Sequence, residues 1–138
     1  MAGITLEAAR RLLDHGAKAA ADAYGQPVCI AVVDGHGDLV AFLRQDGAPV
    51  RSVAIAQGKA YTAARLGVDT NAFLERLQRE RIQASDFCDS RLTGLPGGSV
   101  IRDSAGAIVG AVGVSGLKTD QDQALAGGMA ALLAAGPA

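Results

Sequence analysis

Two pairs of short apolar segments, each pair joined by a glycine-containing turn, constrain the fold of this chain most strongly. The first pair is VCIAVVD at residues 28–34 and LVAFLR at residues 39–44, joined by GHGD. The second pair is SVIRD at residues 99–103 and AIVGAVGVSG at residues 107–116. Short apolar strands on either side of a tight turn are typical of β-hairpins. We therefore expect an antiparallel sheet and not a parallel sheet with helical crossovers.

Segments with helical periodicity precede, separate and follow the hairpins. Thr5 can cap a helix that ends at Gly25, residues 50–66 are apolar on nearly every side, and residues 70–82 form a more charged helix. A last helix starts at TDQD, where Thr119 and Asp122 fit a capping box. The predicted order α-β-β-α-α-β-β-α defines one mixed α/β (α+β) domain over residues 1–138.

The composition excludes several classes of protein. The chain has 138 residues, a net charge of -1 and 49% hydrophobic residues, which gives a globular domain without general attraction to nucleic acid. Cys29 and Cys88 lie outside any C-x-x-C pattern, so we expect no disulfides and a cytoplasmic location. No stretch reaches the ~20 apolar residues of a membrane span, and we expect no contact with membranes. Phosphate-loop, zinc-protease and nucleophile-elbow motifs are absent from the sequence.

His15 is the first candidate functional residue. It lies off the apolar stripe of the first predicted helix, on a face with Arg11, Lys18 and Asp22. A histidine in this position is either exposed without a role or, if another subunit covers it, a ligand to a metal or heme iron. His36 lies in a glycine turn, and turn chemistry alone explains it.

Lys59 is the second candidate, because it lies in the least polar helix of the chain. A lysine there must extend to solvent, pair with a carboxylate or bind an anionic ligand. Loss of hydration would lower its pKa, as a catalytic lysine requires. The structural alternative is an ion pair with Asp34, Asp46 or Asp122. Arg44 and Asp46, at the end of the first hairpin, are either an exposed ion pair or the rim of a pocket.

Glycines form a third signal around the second hairpin. They precede one strand at residues 94, 97 and 98 and lie along the next at residues 110, 113 and 116. Glycine weakens a strand unless a bulge or a close approach of backbone requires it. The set is interpreted either as the floor of a ligand site or as tight packing of the sheet against a helix.

Four sequence blocks together resemble the GlcG/HbpS-like heme-binding family (DUF336), which includes the C-terminal domain of PduO-type proteins. The blocks are VVDGHGDLVAFLRQDGAP, SVAIAQGKAYTAA, LPGGSVIRDSAGAIVGAVGVSG and DQDQALA. The resemblance implies a profilin-like fold with a five-stranded antiparallel sheet flanked by helices. The fifth strand would come from a segment near Leu92 to Gly98. It also implies a homo-oligomer, a dimer or higher, with helices packed between subunits.

The resemblance also implies a site. Its matching positions are Asp34, Gly37, Arg44, Asp46, Gly47, Lys59, Thr62, Gly97, Gly98, Gly113, Ser115, Gly116 and Asp122. The sequence departs from the family pattern at Gln45, where Met is typical, at Val100, where Pro is frequent, and at Leu117, where Gly is frequent. These departures are expected to border the pocket and to alter its ligand.

Two main functional hypotheses follow from the resemblance and the candidate residues. In the first, an oligomer binds heme or another tetrapyrrole, with His15 as the axial iron ligand and a cofactor site formed by Thr62, Gly97, Gly98, Gly113, Ser115 and Gly116. In the second, an enzyme with lyase-type acid–base chemistry acts on a small aromatic or carboxylated substrate such as a hydroxylaminoarene. Lys59 would be the base or carboxylate contact, with Arg44, Asp46 and Asp122 assisting. A third reading is an accessory subunit that acts through its surface.

Overall fold

The computed structural model describes residues 3–135 of the chain. Its elements follow the predicted order, with one short 3-10 helix added between α3 and β3. Their bounds are α1 Leu6–Tyr24, β1 Cys29–Asp34, β2 Leu39–Arg44, α2 Ser52–Leu66, α3 Thr70–Glu80, the 3-10 helix Ala84–Phe87, β3 Gly98–Arg102, β4 Ile108–Ser115 and α4 Thr119–Ala135. No helix within residues 3–135 is long and apolar enough to cross a bilayer.

The sheet contains four antiparallel strands in the order β2-β1-β4-β3. Each predicted hairpin is present, and the two hairpins join through β1 and β4, where Cys29 lies opposite Ser115 and Asp34 opposite Gly110. These inner strands are buried on both faces, which explains why their sequences are continuously apolar and do not alternate. The outer strand β2 is half-exposed along its length.

Helices cover both faces of the sheet, so the molecule has three layers. On one face α1 and α4 pack against alternate strand residues, including Ile30, Val32, Val112 and Val114. On the other face α2 packs against the intervening residues, including Cys29, Ala31 and Ala111. The period-2 alternation of side chains along each strand divides the core into these two halves.

The prediction of a fifth strand is wrong. The sheet has four strands in the described part of the chain, and residues 92–97 form an irregular segment before β3. Backbone N–H groups of this segment donate to side chains, whereas those of a strand would donate to the backbone of a neighbouring strand. The N–H of Thr93 donates to Oγ1 of Thr62, and the N–H of Gly97 donates to Oε1 of Gln123. Pro96 has no N–H to donate, which also disfavours a paired strand.

Helix ends agree with the sequence signals in α1 but not in α4. Oγ1 of Thr5 accepts the N–H of Ala8 at 3.1 Å, and Gly25 ends α1 in a left-handed conformation with φ 65°. The predicted capping box at Thr119 is wrong, because Thr119 is already helical. The carboxylate of Asp122 instead accepts the N–H of Leu117 at 3.1 Å.

Helix α2 lies unusually close to the sheet because the facing residues are small. A Cβ at Gly113 would overlap the carbonyl oxygen of Ala56 and would lie 2.6 Å from the nitrogen of Ala60. The far side of α2 is covered in part by the loop after the 3-10 helix, where a Cβ at Gly58 would be 3.6 Å from the carbonyl oxygen of Arg91. This double cover explains why the sequence of α2 is apolar on several sides.

Candidate functional site

Lys59 is buried and paired. Its Nζ donates to Oδ2 of Asp122 and to the carbonyl oxygen of Val114, each at 2.9 Å. Lys59 is 1% exposed and Asp122 2% exposed. Because α2 and α4 lie on opposite faces of the sheet, this ion pair links the two outer layers. Of the three carboxylates considered as structural partners, the structure selects Asp122.

Two glycines make room for this lysine. A Cβ at Gly97 would lie 2.7 Å from Nζ of Lys59, and Gly97 also has a φ of 133°, which side-chain-bearing residues rarely adopt. A Cβ at Gly98 would lie 2.9 Å from Cγ2 of Thr70 and would overlap the backbone of Lys59. Close packing therefore requires glycine at residues 97 and 98, where β3 begins. Within this chain the space beside these two glycines is occupied by Lys59 and is not an open cavity.

Burial acts on the ionisation of both partners. It lowers the pKa of Lys59 below its ordinary value and raises the pKa of Asp122 above its ordinary value, since loss of hydration disfavours either charge. The attraction and the hydrogen bond between the two groups oppose both shifts. The second oxygen of Asp122 accepts the N–H of Leu117, so both carboxylate oxygens and Nζ of Lys59 have hydrogen-bond partners. Because both side chains are also buried, the pair presents no exposed group to a substrate.

The other residues expected in this cofactor site serve local contacts. Oγ1 of Thr62 donates to the carbonyl oxygen of Gly58 at 2.7 Å and accepts from Thr93. Oγ of Ser115 lies 3.1 Å from Oγ of Ser52, which joins the end of β4 to the start of α2. A Cβ at Gly116 would lie 2.8 Å from the carbonyl oxygen of Pro27.

Arg44 and Asp46 are not brought to this cluster. Both are exposed at the end of β2, the edge of the sheet opposite β3. Within residues 3–135 no hydrogen bond or ion pair joins either of them to Lys59 or Asp122. Asp34 has a structural function in the first hairpin, since its Oδ1 accepts the backbone N–H groups of His36 and Asp38.

The three departures from the family pattern have separate structural explanations. Gln45 joins α1 to β1, because its Oε1 accepts the N–H of Val28 at 2.8 Å and its Nε2 donates to Ala17. The N–H of Val100, which a proline would lack, donates to Asp69 at 2.9 Å. Leu117 alone of the three contacts the Lys59–Asp122 pair, through its backbone.

His15 is exposed on the outer face of α1 and forms no hydrogen bond with any described residue. Its neighbours one turn away on either side are engaged in exposed ion pairs. Arg11 lies 2.9 Å from Glu7, and Lys18 lies 3.0 Å from Asp22. A shallow groove of about 410 Å³ runs along the same helix and is lined by Leu6, Glu7, Arg10, Arg11 and Asp14.

The structure also contains a cleft that the sequence did not reveal. It has a volume of about 360 Å³ and lies between the turn of the first hairpin and α2. At its floor Tyr61 donates to Asp89, and Arg91 donates to the Tyr61 hydroxyl at 2.8 Å. Asp89 and Arg91 lie in the stretch from Ala84 to Gly94, whose sequence has no clear periodicity, so only their contact with Tyr61, about 30 residues away, could have identified them.

Potential metal ligands are dispersed. Within the described residues, no group of three or more His, Cys, Asp or Glu side chains is placed to hold a metal ion. A heme needs fewer protein ligands, because the porphyrin supplies the equatorial nitrogens and the protein supplies only axial groups. The exposed imidazole of His15 fits this requirement.

Comparison with known proteins establishes the family. The model of the family described as "Haem degrading protein HbpS-like" matches residues 4–131, so the chain belongs to the HbpS-like family. A curated relative, an uncharacterized 15.0 kDa protein in the dhaT-dhaS intergenic region of Citrobacter freundii, is 33% identical over 127 residues. That match covers 91% of this chain and 89% of the relative. The resemblance drawn from the four sequence blocks is thereby confirmed.

Solved structures agree with the fold. The crystal structure of HbpS, a protein known from Streptomyces reticuli, is 32% identical, with a TM-score of 0.85 over 96% of this chain and 92% of the other. The PduOC:heme complex is 22% identical, with a TM-score of 0.82 over 94% of each chain. At that lower identity the likeness concerns the fold alone.

Proposed function

We propose that this protein binds heme or a related tetrapyrrole between copies of itself, with His15 as an axial iron ligand. The observation that carries the proposal is the exposed imidazole of His15, which is free of hydrogen bonds to the described residues. Histidine is a common axial ligand of heme iron. The description of the family and the heme complex of PduOC support the same class of ligand.

Two cationic side chains on α1 could orient such a ligand by binding its carboxylates. Heme carries carboxylates, and Arg11 and Lys18 lie one turn before and one turn after His15. Their ion pairs with Glu7 and Asp22 are exposed, and exposed pairs contribute little to stability. Both cations can therefore exchange their partners for ligand carboxylates at small cost.

A second copy of the chain would complete the site. The outer face of α1 offers one large apolar side chain, Leu6, which is 54% exposed at the far end of the groove, and this face cannot enclose a porphyrin alone. Bound heme would supply redox chemistry or oxygen chemistry at its iron. A cytoplasmic location accords with Cys29 and Cys88, which are both free thiols.

Hemin titration of the purified protein, followed by absorbance, tests this function. The wild type should give a saturable Soret shift, and His15→Ala should bind at least about tenfold more weakly, because the iron loses its proposed axial ligand. His36→Ala is the matched control, since it removes the other histidine and should leave the titration unchanged. Equal spectra and affinities for the wild type and His15→Ala would contradict the proposal.

The enzyme hypothesis based on Lys59 receives no support from the site. A general base must reach the proton that it removes, whereas Nζ of Lys59 is enclosed by Asp122 and Val114. Arg44 and Asp46, its expected assistants, are exposed at the opposite edge of the sheet.

A further inference from the structure

The cleft beside α2 is lined by both apolar and polar side chains. Its apolar wall consists of Val33, Leu39 and Val53, and Leu39 is 52% exposed. Its polar side is formed by Gln57 and Arg91. Such a combination, an apolar cavity with few convergent polar groups, is typical of small-molecule sites.

The floor of the cleft is held rigidly by a three-residue network. The Tyr61 hydroxyl donates to Asp89 and accepts from Arg91, so its orientation is fixed by both contacts. The hydrogen bond from Tyr61 and the backbone N–H of Arg91 hold the pKa of Asp89 below its usual range, so this carboxylate is ionised near neutral pH. Gly37 allows the turn to lie against the ring, since a Cβ there would be 2.8 Å from Cδ1 of Tyr61.

Arg91 presents a flat cationic surface. Its guanidinium carbon lies 3.8 Å from the centroid of the Tyr61 ring, so the two planar groups are stacked. Among the described residues its side chain donates one hydrogen bond, to Tyr61, which leaves most of its N–H groups free. A guanidinium with free N–H groups recognises a carboxylate, and a planar group can stack beside it.

We propose that this cleft binds a small organic carboxylate with a flat apolar body, with Arg91 contacting the carboxylate. The body of the ligand would lie against Val33, Leu39 and Val53. The surrounding charges are mixed: the Arg65 guanidinium lies 5.5 Å from the centroid of the Tyr61 ring, Asp89 accepts from the Tyr61 hydroxyl, and Asp38 is exposed at the rim. Selection for a carboxylate therefore depends on the directed N–H groups of Arg91 and not on the net charge of the cleft.

This site is separate from the proposed heme site within one chain. The cleft belongs to the α2 layer, because Val33 and Val53 pack in that half of the core. His15 lies on α1, in the layer across the sheet. The two proposals can therefore fail independently.

Isothermal titration calorimetry with 2-naphthoate tests the cleft, using 2-naphthamide and inorganic phosphate as comparison ligands. The carboxylate should bind at least about tenfold more tightly than the neutral amide, because hydrogen bonds from a guanidinium to a charged acceptor are stronger than those to a neutral one. Phosphate, which has no apolar body, should not bind measurably. Equal affinity for the acid and the amide, or no binding of the acid, would overturn the proposal.

Three variants locate the binding. Arg91→Gln should weaken binding of 2-naphthoate about tenfold, while Arg79→Gln, an exposed arginine on α3, is the control and should have no effect. Ala54→Leu keeps the Tyr61 network intact and places a larger side chain at the exposed mouth of the cleft, so it should also weaken binding. Asp38→Asn should tighten it by removing a like charge. Unchanged affinity in both Arg91→Gln and Ala54→Leu would overturn the assignment to this cleft.

Cross-titration separates this proposal from heme binding. Ala54→Leu should leave the Soret titration unchanged, and His15→Ala should leave the affinity for 2-naphthoate unchanged. If each mole of hemin that binds releases one mole of 2-naphthoate, the two ligands share one site. That result would overturn the proposal of a separate site.

Discussion

Lys59 and Asp122 place a complete ion pair in the interior of a small domain, with both side chains at most 2% exposed. Removing two charges from water costs several kcal/mol per ion, and attraction within the pair offsets that cost only when the geometry and the hydrogen bonding are good. Here both conditions hold, because every polar atom of the pair has a partner. The pair fixes how α2 and α4 sit relative to each other, and its loss should be costly.

Replacing Lys59 by methionine should lower the free energy of unfolding by about 3–5 kcal/mol, because the Asp122 carboxylate is left buried without its cation. Urea denaturation at neutral pH measures this change. The double variant Lys59→Met with Asp122→Asn should recover most of the loss, since Asn keeps an oxygen for the N–H of Leu117. A single variant as stable as the wild type would show that the pair is not buried as described.

Asp89 should make stability depend on pH in the acidic range. Its folded-state pKa is lowered, first by the hydrogen bond from Tyr61, so the folded state binds fewer protons at this group than the unfolded state. The contribution of Asp89 to the free energy of unfolding is therefore fully present above the ordinary Asp pKa of about 3.9. It is lost as the pH falls through the lower pKa that Asp89 has in the folded state.

Urea unfolding of wild type and Asp89→Asn at pH 7 and pH 3 measures this contribution. The wild type should be the more stable at pH 7, and the difference should shrink at pH 3. Tyr61→Phe removes the main cause of the shift and should reduce the pH dependence of the difference. A difference that is the same at both pH values would contradict the assignment.

At the scale of single residues, the sequence singled out Lys59 and gave an ion pair with one of three carboxylates as one of several alternatives. It could not choose among Asp34, Asp46 and Asp122, because that choice depends on how the hairpins join. Tyr61 and Arg91 escaped detection for a related reason. The apolar pattern of α2 does not distinguish Tyr61 from a core residue, Arg91 belongs to no local pattern, and their contact exists only after the loop has folded over α2.

At the scale of elements, the contact between α2 and β4 depends on small residues. Gly113→Ala should lower the free energy of unfolding by about 3 kcal/mol, since the new methyl group meets the backbone of Ala56 and Ala60 and no flexible side chain can yield. Gly128→Ala is the matched control on α4, where a Cβ meets nothing within 4 Å. That control should raise stability by about 0.5–1 kcal/mol through helix propensity. Urea midpoints that move together would contradict this interpretation.

Most elements were predictable because their signals are local. Apolar runs and glycine turns located four strands, and Thr5 and Gly25 marked both ends of α1. The expectation of a fifth strand rested only on the resemblance. In the structure, backbone N–H groups of the segment before β3 donate to the side chains of Thr62 and Gln123 and not to another strand. The order β2-β1-β4-β3 was not predictable, because neither hairpin specifies its neighbour.

At the scale of the whole molecule, the proposed heme site predicts ligand-linked association. An iron ligated by His15 on the surface of α1 has one open side, which a second copy should cover. Hemin should therefore shift wild-type protein toward a larger species in sedimentation equilibrium, by at least about tenfold in the association constant. His15→Ala should show no shift. Association that is independent of hemin in the wild type would argue against a shared site.

The ion pair between α2 and α4 also has a consequence for synthesis on the ribosome. The two partners lie 63 residues apart in sequence, and Asp122 belongs to the last helix. A nascent chain that ends before Asp122 would have to bury the Lys59 ammonium alone in order to dock α2. We therefore expect that α2 does not dock stably on the sheet until α4 has been translated. The domain should then acquire its native structure late and in a single step.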